Sequence, residues 1–170
     1  MADDHAQFGS ESPNSGDVRE RTHRLPRESY RGFTQAIFTV CARNGSSVLS
    51  TPIVFEAVHA WLVESCQAHS VKLLALTVMP DHLHTMLMGE SEQADMWAAM
   101  TLFKQKCGFH GARRFPGLQL QKDFCDHIIR TDEDAGAHLR YIVANPLRAG
   151  LVTEWDQYPY TFVPKDIEFR

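Results

Sequence analysis

The 170-residue sequence lacks several features that would place it in a broad class at once. No stretch approaches the run of about 20 apolar residues that a membrane-spanning helix needs. The four cysteines are widely spaced and include no Cys-x-x-Cys pair, which disfavours a zinc knuckle or a redox couple. The polar, acidic first residues do not resemble an export signal. We therefore expect reduced thiols, a cytoplasmic location and no membrane partner.

An excess of positive charge is also absent. The formal net charge is −4, whereas proteins that coat duplex DNA indiscriminately are usually basic. A local basic groove remains compatible with this value. The length and a hydrophobic content of 44% predict one folded domain. Few apolar residues occur in 1–30, which predicts a flexible polar N-terminal arm and leaves 31–170 as the domain.

Hydrophobic periodicity predicts the order strand, helix, strand, strand, helix, strand, helix. We expect Thr51 and Pro52 to begin the first helix, Ser91 to cap the second, and Thr131 or Asp132 to cap the third. The strands are predicted at 33–41, 71–79, 82–88 and 124–129, the helices at 51–69, 91–110 and 131–145, and a loop at 108–121. This order predicts an α+β fold, ferredoxin-like or RRM-like, with a largely antiparallel sheet and helices covering one face.

His82 and His84 alternate on the predicted third strand, so both imidazoles point to the same face and can bind one cation. A lone His-x-His pattern is a weak signal, because a half-buried strand can hold two histidines for hydrogen bonding alone. A catalytic metal usually takes about three protein ligands. Asn145 is the candidate for the third, and histidine with an amide oxygen suits Mg²⁺ or Mn²⁺, with zinc as an alternative.

Tyr141 precedes Asn145 by four residues on the predicted third helix, so the two side chains lie on one helix face. In isolation Tyr141 is better explained as a packing residue. A phenol with a pKa of about 10 needs a base or a metal to become a nucleophile, and the neighbouring ligand set would supply one. Tyr30, Tyr158 and Tyr160 lack such a partner and are interpreted as packing residues.

Four linked motifs closely resemble those of the REP-associated tyrosine transposases, which are single-tyrosine HUH (His-hydrophobic-His) transposases. The resemblance spans about 33–162 in the same motif order. The motifs are Met79 to His84, Asp126 to Arg130, Tyr141 to Val152, and Tyr158 to Tyr160.

This resemblance implies an HUH fold in which His82 and His84 bind a divalent metal and Asn145 completes the coordination. It implies that Tyr141 attacks a phosphodiester in single-stranded DNA, giving a 5′-phosphotyrosine adduct and a free 3′-OH that later attacks the adduct. The implied substrates are imperfect palindromes that fold into hairpins. A nucleoid-associated protein is expected on the same ground.

Basic side chains near these motifs are candidate DNA contacts, although a solvated surface explains scattered arginines equally well. One group surrounds the candidate tyrosine and a second lies near the second helix and the following loop. The candidates are Arg130, Arg140, Arg148, Lys104, Arg113 and Arg114. His127 is a partner of a metal ligand, a DNA contact or a packed strand residue.

The leading hypothesis is therefore a metal-dependent strand transferase that acts on single-stranded DNA hairpins through Tyr141. The first alternative is a non-catalytic binding protein of the same fold that acts on palindromic repeats. The second is a small phosphoesterase in which His82 and His84 activate water. A monomer and a homodimer are both compatible with the sequence.

Overall fold

A computed structural model describes residues 25–167, apart from the side chain of Asn44. The strands are β1 (Gln35–Cys41), β2 (Val71–Val78), β3 (His82–Gly89), β4 (Cys125–Ile129) and β5 (Thr161–Phe162). The α-helices are α1 (Pro52–Gln67), α2 (Met96–Lys106), α3 (Ala112–Arg114), α4 (Ala135–Val143) and α5 (Asn145–Arg148). Within this range no helix is both long enough and apolar enough to cross a membrane.

The strands form one antiparallel sheet of five, in the order β4-β1-β3-β2-β5. The hairpin between β2 and β3 is closed at Pro80 and Asp81, and the N–H of Met79 donates to the carbonyl of His82 over 2.8 Å. Both features confirm the α+β, largely antiparallel prediction. The central position of β3 places its histidines between β1 and β2 rather than at an exposed edge.

One face of the sheet is covered by α1 and α2. Leu83 and Leu87 of β3 point to this face and are fully buried, in the same core as Leu62 of α1 and Phe103 of α2. The side chains of β3 point alternately to this face, as that of Leu83 does, and to the opposite face, as that of His82 does. This is the two-residue period that the sequence predicted. Each large apolar side chain buried in this core contributes about 2 kcal/mol.

The opposite face is covered by α4. The expectation that the helices cover one face is therefore correct for α1 and α2 and wrong for α4. Leu139 and Ile142 of α4 pack against Leu74, Ala75 and Met86 of the sheet. Met86 lies two residues beyond His84 on β3, so both side chains point to this second face. The helix that contains Tyr141 therefore lies on the histidine face of the sheet.

Two helix caps differ from the prediction. Asp95, not Ser91, caps α2, because its carboxylate accepts from the N–H of Ala98 over 2.8 Å while Ser91 closes a separate turn with Ala94. Asp134, not Thr131 or Asp132, precedes α4. There the N–H of Glu133 donates to the carbonyl of Arg130, which forms a turn before the helix begins.

The segment predicted as a loop at 108–121 begins as helix instead. A π-helical turn, Cys107–Gly111, continues α2 and leads into α3, which ends at Arg114. Cys107 and Gly111 are buried, so tertiary packing stabilises a stretch whose glycines suggested a break. Only the residues after Phe115 follow the loop prediction.

The predicted N-terminal arm lies mostly outside the described residues, since 1–24 fall before them. Its last residues form a 3-10 helix, Arg27–Tyr30, and Tyr30 is completely buried against Phe38 and Trp97. The hydroxyl of Tyr30 donates to the carboxylate of Asp126 on β4. Tyr30 is thus a packing residue, as expected, and belongs to the core of the domain.

Gly89 ends β3 where another backbone approaches it closely. A Cβ at this position would lie 1.9 Å from the carbonyl oxygen of Gly32 and 2.9 Å from the Cβ of Ala94. We expect Gly89→Ala to lower the free energy of unfolding by about 3 kcal/mol, because backbone must move to relieve the overlap. Urea unfolding measures this loss. Gly108→Ala is the control, since nothing lies within 4 Å of its added Cβ, and equal losses in both variants would contradict the steric argument.

Candidate functional site

The two histidines of β3 converge as their alternation predicts. The Nε2 atoms of His82 and His84 lie 3.1 Å apart, and the ring centroids are separated by 4.8 Å with the planes nearly perpendicular. Two imidazole nitrogens at this separation can share one cation after a small outward movement, since metal–nitrogen bonds are about 2.1 Å long. The pair is therefore a candidate metal centre.

The other nitrogen of each imidazole has a fixed partner. The Nδ1 atom of His82 lies 2.7 Å from a carboxylate oxygen of Asp81, and the Nδ1 atom of His84 lies 2.8 Å from the hydroxyl of Thr39. Such partners orient the ring of a metal-binding histidine and fix its tautomer. In both residues Nε2 is left as the coordinating atom, so the donor set fits a divalent cation.

Neither partner was singled out from the sequence. Asp81 directly precedes His82, so its position next to the His-x-His pattern could have identified it from the sequence. Thr39 is forty-five residues from His84 and lies beside it because the two are paired in the antiparallel register of β1 and β3. A single sequence does not show such a register.

Burial keeps His84 neutral. Desolvation, with a smaller contribution from the charge of His82, lowers the pKa of His84 from 6.5 to about 4. A neutral imidazole is the form that coordinates a metal, so His84 stays competent as a ligand in mildly acidic solution.

The same burial predicts that the metal-free protein loses stability in acid. Between the two pKa values His84 is protonated in the unfolded chain but neutral in the folded one, so protons favour unfolding as the pH falls below 6.5. We expect a loss of about 2 kcal/mol in unfolding free energy from this residue between pH 7.5 and pH 5. Urea titrations at the two pH values measure it, with His84→Gln as the reference. Equal losses in both proteins would contradict the assignment.

Tyr141 is half-exposed near the end of α4, with 51% of its surface accessible. The guanidinium carbon of Arg148, on α5, lies 4.3 Å from the centroid of the Tyr141 ring. This is close enough for a cation–π contact. The structure thus brings two of the predicted site residues together and leaves the phenol open to a substrate from solvent.

Asn145 stands at the junction of α4 and α5. Its side-chain Nδ2 donates to the carbonyls of Tyr141 and Ile142 over 2.9 and 3.2 Å. These two bonds satisfy carbonyls at the end of α4 and fix the amide relative to the tyrosine backbone. The amide oxygen is the atom that a cation would use.

The basic candidates divide into two groups on opposite sides of the sheet. Arg130 follows β4, and Arg140 lies on α4, where it forms an ion pair with Asp134 at 3.2 Å. With Arg148, these residues are on or near the helix that contains the tyrosine. Arg113 and Lys104 belong to the α2 to α3 region, which packs on the other face.

Aromatic rings accompany that second group. The guanidinium of Arg113 lies 4.1 Å from the ring centroid of Phe109, which is 57% exposed. Arg114 lies over Phe115, and the ammonium of Lys104 over Phe124. Sequence reasoning found the cations and missed Phe109, whose exposure depends on the π-helical turn.

A second histidine cluster was also missed. His127 on β4 and His138 on α4 both approach the carboxylate of Glu133, which lies in the intervening loop. His127 is therefore a partner in a polar cluster rather than a packed strand residue. The hydrogen bond from His127, reinforced by one from His138, lowers the pKa of Glu133.

Comparison with known proteins places the fold in a family. A family model described as "Transposase IS200 like" matches residues 29–127, a range that contains both histidines of β3 and ends before Tyr141. The REP-associated tyrosine transposase of Escherichia coli K12 is 27% identical over 134 residues, which cover 76% of this chain and 76% of that protein. A Haemophilus influenzae protein with a similar description is 27% identical over 154 residues. The match covers 81% of this chain and 86% of that protein.

A solved structure shares the fold. It is described as a REP-associated tyrosine transposase bound to a REP hairpin, and it matches with a TM-score of 0.67 and 23% sequence identity over 84% of this chain and 81% of that one. These findings confirm the resemblance that the sequence motifs indicated.

Proposed function

The chain belongs to the IS200-like transposase family, and we propose that it cuts and rejoins single-stranded DNA at palindromic repeats that fold into hairpins. Its relatives are named tyrosine transposases, which implies an enzyme of DNA cleavage and transfer. One relative of the same fold is described as bound to a REP hairpin, which supports a hairpin as the partner.

The observation on which the proposal depends is the pair of Nε2 atoms 3.1 Å apart on the sheet face that α4 covers. With Nδ1 of each ring engaged by Asp81 or Thr39, these nitrogens would hold Mg²⁺ or Mn²⁺. The oxygen of Asn145 is proposed as a further ligand, because its amide is fixed one helical turn from Tyr141. When bound, the cation would polarise a phosphate oxygen.

Tyr141 is proposed as the nucleophile. Its phenol would lose its proton to solvent and its oxygen would form a bond to phosphorus as the bond from phosphorus to the 3′ oxygen breaks, and the 3′ oxygen would take up a proton, so no net proton is gained or lost. The 5′ phosphate would stay on the tyrosine. Because one phosphodiester replaces another, the released 3′-OH can reverse the step without an external energy source.

The basic residues are proposed as DNA contacts at two places. Arg148, over the ring of Tyr141, would bind a phosphate beside the scissile bond, and Arg130 and Arg140 would contact the flanking backbone. Lys104, Arg113 and Arg114 would contact a more distant part of the hairpin. The exposed ring of Phe109 beside Arg113 suits an unpaired base there, because aromatic rings and guanidinium groups stack on bases.

The experiment that tests this function uses synthetic hairpins from the host's own palindromic repeats, labelled at one end or the other. With the wild-type protein and Mn²⁺ or Mg²⁺, the 3′-labelled strand should shift upward on a denaturing gel as a covalent adduct. The 5′-labelled strand should shorten to a free 3′-OH product. A chelator and a shuffled sequence that forms no hairpin are the controls.

Two other outcomes would replace the proposal. Tight hairpin binding with no cleavage of either strand would favour the non-catalytic binding protein. Shortening of both labelled strands without an adduct would favour the phosphoesterase, in which water is the nucleophile.

A further inference from the structure

We propose that His127, Glu133 and His138 form a second site for a divalent transition-metal ion, separate from the His82 and His84 pair. The Nε2 atoms of His127 and His138 lie 2.6 and 2.9 Å from the same carboxylate oxygen of Glu133. The ligand atoms of all three residues lie within 4.8 Å of one another.

The separations are close to those of a coordinated ion. A cation about 2.1 Å from each of two ligand atoms in tetrahedral geometry separates them by about 3.4 Å. The nitrogens must therefore move away from the Glu133 oxygen by less than about 1 Å for the ion to enter, and the proton of each Nε2–H must pass to Nδ1 or to solvent so that a lone pair faces the ion. A change of this size needs only small side-chain rotations, because each of the three side chains is partly exposed, at 50%, 25% and 32% in the order His127, Glu133, His138.

The strand register separates this cluster from the first site. Ile37 of β1 is paired with His127 on one side and with Met86 on the other, so His127 lies two strands away from β3. His84 precedes Met86 by two residues on β3. With strands about 4.8 Å apart and a rise of about 3.3 Å per residue, the Cα atoms of His127 and His84 are about 12 Å apart. The ligand atoms that lie within 4.8 Å of one another are those of His127, Glu133 and His138, and neither His82 nor His84 belongs to this group.

The donor set indicates the class of ion. Two imidazole nitrogens and one carboxylate oxygen suit zinc and other transition metals, Mn²⁺ among them, and zinc is the ion used as the probe in the test below. The oxygen ligand is the Glu133 carboxylate oxygen that both imidazole nitrogens approach. Three protein ligands would leave at least one coordination position open.

The site joins three consecutive parts of the chain. His127 is on β4, Glu133 is in the turn, and His138 is on α4, three residues before Tyr141. A bound ion would hold the first half of α4 against the edge strand of the sheet. The inference that this ion orients the helix that contains Tyr141 rests on the proposed function, whereas the metal site itself does not.

The test measures Zn²⁺ binding to tag-free, metal-stripped protein by competition with a chromophoric chelator. The His82→Ala/His84→Ala double variant should still bind zinc at one tight site, and zinc should raise its Tm by about 5 °C. Adding Glu133→Gln or His138→Ala should weaken that binding at least 100-fold. Glu64→Gln in the same background is the matched control, because Glu64 is an exposed glutamate paired with Lys106 on the far face.

Equal zinc affinity in the double variant with and without Glu133→Gln would overturn the proposal, as would the absence of tight binding in the double variant. If the double variant does not fold, the stoichiometry of the wild type decides instead. The number of zinc ions bound per chain should fall by one in Glu133→Gln, and an unchanged number would overturn the proposal. No DNA is present in these measurements, so a failure here is distinct from a failure of the strand-transfer function.

Discussion

Replacing Tyr141 with phenylalanine will abolish the covalent adduct and leave hairpin binding intact. The phenol oxygen is the only atom removed, and it is the atom that would bond to phosphorus. The phenyl ring still packs beneath Arg148, whose guanidinium lies 4.3 Å from the ring centroid in the native protein. Because the side chain is half-exposed, the free energy of unfolding should change by less than about 0.5 kcal/mol.

The measurement is the denaturing-gel assay with 3′-labelled hairpin and Mn²⁺, alongside a native-gel titration of affinity. We expect adduct formation to fall by at least about 10³-fold, while the dissociation constant changes less than about threefold. Retention of the adduct in Tyr141→Phe would assign the nucleophile to another residue.

Tyr160→Phe is the matched control for that assay. Tyr160 is partly buried and packs edge-on against Tyr158 at a centroid distance of 5.4 Å, so its ring is a structural element. We expect this variant to form the adduct at the wild-type rate. Loss of the adduct in both variants would instead indicate a general effect of removing a tyrosine hydroxyl, and would contradict a specific role for Tyr141.

The hairpin that presents the histidines was predictable because its signals are local. The apolar run of β2, the turn at Pro80 and Asp81, and the alternation of β3 lie within about twenty consecutive positions, and a period of two decides which side chains share a face. Convergence of His82 and His84 follows from that period alone. Their Nδ1 partners are different, because Thr39 meets His84 only through the register of a strand far away in the chain.

The helix starts were less predictable because several residues compete to cap them. Ser91 and Asp95 both precede α2, and both have side chains that accept hydrogen bonds from free N–H groups. Asp95 caps the helix because a turn between Ser91 and Ala94 comes first, and the carbonyl of Ala94 accepts from the N–H of Gly32. That contact is between distant segments, so helical periodicity does not reveal it.

The position of α4 is the feature of the site that sequence patterns determine least. Its apolar residues predict that one side is buried, yet they do not say which sheet face receives it. The structure places Leu139 and Ile142 against Met86, which puts Tyr141 on the histidine side. The cluster of His127, Glu133 and His138 was missed for the same reason, since it forms only once α4 lies beside β4.

Replacing His84 with alanine will lower the rate of adduct formation by about 10³-fold. Loss of the Nε2 atom would remove a ligand of the proposed cation, which would stabilise charge on the phosphate, and several kcal/mol of such stabilisation correspond to a factor of this size. Hairpin affinity should change little, because the proposed phosphate contacts are made by arginines. Single-turnover rates at saturating protein, over a range of Mn²⁺ concentrations, separate weaker metal binding from a slower step.

Removing a hydrogen-bond partner of His84 should slow adduct formation less than removing His84 itself. Thr39→Val keeps the shape of the side chain but removes the hydroxyl 2.8 Å from Nδ1 of His84, so the imidazole loses its orientation while the ligand atom remains. Loss of a hydrogen-bond partner of a metal ligand typically lowers metal affinity or activity by about 10- to 100-fold, which is less than the loss expected when the ligand itself is removed. His110→Ala, at an exposed histidine stacked on Trp61, should retain the wild-type rate. If His84→Ala and Thr39→Val prove no slower than His110→Ala, the imidazole pair is not the metal centre, and tyrosine attack must be activated elsewhere in the chain.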